Sequence, residues 1–126
     1  MTTALHVVLD ASVITAAATG HPLASRLLHR AHAENGWHLY VSACALVEAD
    51  RNCPGSIRNL TALPGITVLD LDLPAALTLA GATTWAHAHT QHSALPCTDR
   101  PDGAIVATVT PRLWETAPVR VLDLSA

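Results

Sequence analysis

Val7-Val8-Leu9-Asp10-Ala11-Ser12-Val13-Ile14 is the stretch on which the fold turns. His6 to Leu9 is a short apolar, β-branched run that ends abruptly at a carboxylate. Apolar residues on both faces suit a buried parallel strand. Ala11 to Ala18 then reads as a short helix, stopped by Gly20 and Pro22. Asp10 falls at the junction, where Asp is a favoured helix cap. It also falls where open α/β sheets bind ligands, beyond the carboxyl ends of the strands. The two roles are compatible if one oxygen caps the helix and the other faces solvent.

The same alternation continues outward. Leu23, Leu27, Leu28 and Ala31 recur at helical spacing, and Asn35-Gly36 ends that helix. Trp37 to Val41 is a second strand, and Ser42 caps a helix from Ala43 to about Asp50. Cys53-Pro54-Gly55 breaks the chain, Ile57 to Leu63 forms a short helix, and Ile66 to Leu69 a third strand. Asp72 caps a helix starting near Pro74, and Ala82 to Ser93 forms another. Ala104 to Val109 and Val119 to Leu122 are the remaining strand candidates. Strands separated by helices predict an α/β fold with a parallel sheet of about five strands. With 126 residues the chain is the size of one domain, spanning 1–126.

Composition narrows the functional classes. Half the residues are apolar and 13% are charged, which argues against disorder. No apolar run approaches the ~20 residues of a spanning helix, so no membrane association is expected. The N-terminus lacks a basic region before its short apolar run, so no signal peptide is expected. Cys44, Cys53 and Cys97 form no CxxC pair; they read as reduced thiols packed as small hydrophobes in a cytoplasmic protein. The net charge is −3, lysine is absent, and the seven arginines are scattered. Composition alone therefore signals no nucleic-acid partner.

Two motifs change that reading. Val7 to Ile14 resembles the opening of PIN domains: an apolar strand, Asp, a small residue, Ser, then aliphatics. Val41-Ser42-Ala43-Cys44-Ala45-Leu46-Val47-Glu48-Ala49 resembles their second motif, a Ser-started helix with an inward Glu. The separation fits the short prokaryotic members, including VapC-type toxins. The resemblance implies a three-layer Rossmann-like domain with three or four clustered carboxylates. Such a cluster holds Mg²⁺ or Mn²⁺, and the activity implied is a metal-dependent endoribonuclease. It also implies the toxin of a type II toxin-antitoxin pair, a small antitoxin partner and a homodimer. Asp10 is the principal metal ligand on this reading and Glu48 the second, with Ser12 supporting the turn. Crowded carboxylates repel, and a divalent cation relieves the repulsion.

The second half admits two registers. In one, Asp102 is the third acidic ligand and opens a helix through Gly103 to Thr108, with Asp123 as a substitute fourth. In the other, Ala104 to Val109 is a strand and Thr110 stands where a fourth Asp is usual. Thr83 or Thr84 then lies near the third position. The β-branched content and Pro111 favour the strand. That register leaves Asp10 and Glu48 as the acidic set, and its functional counterpart is a degenerate PIN-like module that binds protein or RNA.

His87, His89 and His92 read as solvated helix surface, since no zinc spacing is present. If RNA binds, Arg51 or Arg112 is the expected phosphate contact. A receiver-type phosphoacceptor domain also places an Asp at a strand end, but it normally needs a late Lys, and none exists here. No Walker A, GxGxxG or nucleophile-elbow pattern occurs.

Overall fold

The computed structural model describes residues 4–33 and 36–125. Met1 to Thr3 and Asn35, on which the terminal and helix-stop expectations partly rested, lie outside them. Five strands form one sheet: β1 (Leu5–Leu9), β2 (Trp37–Ser42), β3 (Ile66–Leu69), β4 (Ile105–Thr108) and β5 (Val121–Asp123). Their order is β3-β2-β1-β4-β5, and every pair is parallel. Six α-helices connect them: α1 (Ala11–Ala18), α2 (Pro22–Ala33), α3 (Ala43–Asn52), α4 (Ser56–Thr61), α5 (Leu73–Leu79) and α6 (Trp85–Ala94). A 3₁₀ turn, Pro111–Trp114, precedes β5. This is a three-layer α/β fold with an all-parallel sheet.

The central strand is buried because it has neighbours on both edges and helices on both faces. Val7, Leu9, Leu39, Val41 and Ala107 share one face, packed against Val13, Ile14, Leu27, Leu46 and Leu60. On the other face Val106 packs with Ala94 and Trp114. Helix starts follow the sequence closely. Ser42 Oγ accepts the Ala45 N–H at 3.1 Å, and Asp72 Oδ1 accepts that of Ala75 at 3.0 Å.

The strand register of the second half is the one that forms. Gly103 takes φ +72°, which breaks any helix opened at Asp102, and the β-branched residues beyond it pair with β1. A β-carbon on Gly103 would lie 2.5 Å from the Ala94 carbonyl oxygen, whose partner is the Ala104 N–H at 3.0 Å. Gly103→Ala is therefore expected to cost about 2–4 kcal/mol, from left-handed strain plus overpacking. Urea denaturation of the two proteins measures it.

Of the three histidines of α6, His89 departs from the solvated surface expected of them, while His87 and His92 are partly exposed. His89 is buried, and its Nδ1 accepts the Cys44 N–H at 3.3 Å. That bond requires a neutral ring with its proton on Nε2. Burial lowers the pKa of His89 from its ordinary 6.5. Below about pH 6.5 the unfolded chain then binds a proton that the folded chain refuses, so stability decreases as the pH is lowered. His6 acts in the same sense, lowered by burial and by His38 and Arg100. His89→Asn keeps an acceptor without a titrating group. It is expected to flatten the stability-pH slope between pH 6.5 and 5 by up to about 1.4 kcal/mol per unit.

Candidate active site

Asp10 follows β1 with extended backbone (φ −81°, ψ 173°) and caps α1. Its Oδ1 accepts the Val13 N–H at 3.0 Å and the Ser12 hydroxyl at 2.6 Å. Its Oδ2 does not face solvent: it accepts the indole N–H of Trp114 at 3.0 Å. Asp10 is 5% exposed and Trp114 2%, so the bond is largely shielded from solvent although both residues line a cavity, and charge-assisted hydrogen bonds in such settings are strong. Ser12 Oγ also accepts the Val109 N–H at 3.1 Å and lies 3.3 Å from Thr108 Oγ1. Thr108 Oγ1 in turn accepts the Thr110 N–H at 2.9 Å. One short network thus joins the carboxyl ends of β1 and β4.

Glu48 comes from the second turn of α3. That helix is fixed at its start by Ser42, whose hydroxyl also lies 3.3 Å from Thr90 Oγ1. Glu48 is half-buried and has no hydrogen bond or ion pair among the described residues. Asp10, Ser12, Glu48 and Thr110 line one cavity of about 400 Å³. The sheet topology thus brings together the two acidic residues expected from the motifs.

Asp102 is not among them. It is exposed at the amino end of β4, the opposite end of the sheet from Asp10, and its carbonyl accepts the Arg120 guanidinium at 3.2 Å. It would reach the cavity only in the helical register, which Gly103 prevents. Asp123 sits at the carboxyl end of β5, yet it does not line the cavity. Hydrogen bonds from Ser125 hold its carboxyl below the usual range. Arg112 is exposed and also outside this cavity. The cysteines are free, but only Cys44 and Cys53 are partly buried, and Cys97 is exposed. Burial pushes the Cys44 thiol upward, away from nucleophilic chemistry.

Sequence reading missed His87 and Trp114. Both line the cavity, and their rings stack with centroids 3.9 Å apart. A residue 104 positions from Asp10 leaves no local signal of its partner; only Pro111, which sets up the 3₁₀ turn, marks the segment. Thr84, at the start of α6, makes no side-chain capping bond. The first amides of α6 therefore have no side-chain cap on the cavity side, an electrostatic setting that favours anions.

The donor set fits a particular kind of ion. A carboxylate has about four lone-pair positions, and three donors already occupy Asp10. About one remains, and the unpaired Glu48 lines the same cavity. Among the described residues no three His, Cys, Asp or Glu side chains are placed to hold a metal. Mg²⁺ is commonly held by one or two carboxylates while keeping several waters and substrate phosphates. The residues present fit such a hydrated ion and do not form a closed cage.

No family model and no curated protein matches the chain. A chain of the solved structure of VapBC2 from Rickettsia felis, bound to a DNA fragment from their promoter, does match. The TM-score is 0.61 at 11% sequence identity, covering 94% of this chain and 98% of that one. That likeness is one of fold: the two chains share a three-layer α/β architecture over nearly their whole lengths. No helix among the described residues is long and apolar enough to cross a membrane.

Trp114→Phe keeps an aromatic ring but deletes the N–H together with part of the indole's packed volume. Loss of a buried bond to a charged group is expected to cost about 1.5–3 kcal/mol. In a double-mutant cycle with Asp10→Asn, most of that cost should appear as coupling between the two positions.

Proposed function

We propose that this chain is a ribonuclease of the PIN class, using Mg²⁺ or Mn²⁺ held between Asp10 and Glu48. The observation that carries this reading is that both carboxylates line one cavity at the carboxyl ends of parallel strands. A bound ion there would supply a water of lowered pKa and neutralise charge developing on the phosphate. The chain's own residues supply position. Asp10, fixed by its hydrogen bonds to Ser12, Val13 and Trp114, presents its remaining lone pair without reorganisation. Glu48 offers an unpaired carboxylate, and the start of α6 favours the approach of a phosphate. Thr110, exposed at the rim, can orient water or phosphate.

The likeness to a chain of VapBC2 supports a toxin role for this protein, in which a small antitoxin covers the cavity. We extend the proposal to a homodimer acting in the cytoplasm.

A second reading has its own support. The described part of the cavity holds two carboxylates, and one is tied to an indole. A PIN-like module that binds RNA or protein without cutting accounts for that arrangement.

The test is cleavage of a fluorophore-quencher RNA across Mg²⁺ and Mn²⁺ titrations. Wild-type protein is expected to cleave, and Asp10→Asn and Glu48→Gln each to lose at least about 100-fold, the scale seen when one electrostatic contributor is deleted. Cleavage that is unchanged in both variants defeats the proposal. If wild type cuts nothing with either ion, the binding-module reading takes its place.

A further inference from the structure

A second groove, of about 680 Å³, opens directly from the acidic cavity. The two share Glu48, Asn52, Thr84 and Ala86, so one runs into the other. Trp85, the first residue of α6, lines this groove and is 66% exposed. Its indole has no hydrogen bond or ring contact among the described residues. Arg51 lies on the opposite helix, α3, exposed and without an ion pair among them. Asn52 and Thr83 add an amide and a hydroxyl, while Val47 and Leu71 supply apolar surface.

We infer that this groove is a single-stranded RNA subsite, in which an unpaired base stacks on Trp85 and its phosphate meets Arg51. The inference rests on the ribonuclease reading for its direction, since the strand would run from the acid pair into the groove. Three features select this ligand. The groove combines a free π-face, a guanidinium and hydrogen-bonding side chains, which are the parts a nucleotide uses. It is continuous with the cavity proposed to hold the scissile phosphate. The chain has no lysine and only seven arginines, with a net charge of −3, so charge alone offers little to hold RNA. Stacking must then carry much of the affinity. In a duplex the base faces are already stacked on one another, so the indole selects unpaired RNA.

The experiment is fluorescence anisotropy of a labelled single-stranded oligoribonucleotide in EDTA, where metal-dependent cutting is silent, over a range of salt. Trp85→Ala is expected to weaken binding by about 10-fold or more, and Trp85→Phe to restore most of it. Arg51→Gln should lower the salt slope by about one phosphate contact. A duplex of the same sequence should bind more weakly than the single strand. Trp85 is exposed, so circular dichroism is expected to show the variants folded. Equal RNA binding by wild type and Trp85→Ala overturns the inference, as does a duplex that binds as tightly as the single strand. A Trp85→Ala protein that keeps RNA binding but loses self-association also overturns it, and assigns the face to protein. Wild-type protein that binds this RNA in EDTA but cuts it with neither Mg²⁺ nor Mn²⁺ would sink the nuclease reading and leave this subsite standing.

Discussion

The carboxylate of Asp10 is the point to which the carboxyl edge of the sheet is tied. Three donors converge on it: a backbone N–H of its own helix, the Ser12 hydroxyl and the Trp114 indole. They come from α1 and from the turn before β5, so one buried ion fixes two segments that are remote in sequence. A buried charge is tolerated only when its hydrogen bonds are made. Here the bonding that makes burial acceptable also limits what the carboxylate can still do. It retains about one lone pair for chemistry.

That limit shapes the functional reading. A carboxylate cage would bind a divalent ion tightly by itself. A lone pair on Asp10 beside an unpaired Glu48 leaves most of the coordination shell to water and phosphate. Metal and substrate would then assemble together, each completing the other's ligands. On the proposed reading, the adjoining groove, with Trp85 and Arg51 on its walls, would give the substrate a hold that does not depend on the ion, and affinity and catalysis would lie on neighbouring but separable surfaces.

The local parts of the fold were readable for local reasons. Ser42 and Asp72 cap helices because a short polar side chain reaches the amide three residues on, and that relation is written in adjacent positions. The β1 run announced a buried strand by its lack of a polar face. Asp10 and Glu48 were singled out not by position alone but by the resemblance of the two motifs around them to those of PIN domains. Asp102 was misplaced in one of the two registers because periodicity cannot choose between helix and strand in a short apolar run. The left-handed Gly103 and the β-branched residues beyond it made the choice.

The sequence alone determined the alternation of strands and helices and the parallel sheet, and its two motifs singled out Asp10 after a strand and Glu48 within a helix by their resemblance to PIN domains. Each of these depends on neighbours within a few positions. Only the tertiary structure decided that Trp114 closes on Asp10, that His87 stacks upon it and that Asp102 stands at the far end of the sheet. Those facts depend on contacts between segments separated by most of the chain, and no residue pattern encodes such a distance. His89 makes the same point from the other side: its helix looked polar, but the packing of α6 against α3 buried the ring and set its tautomer.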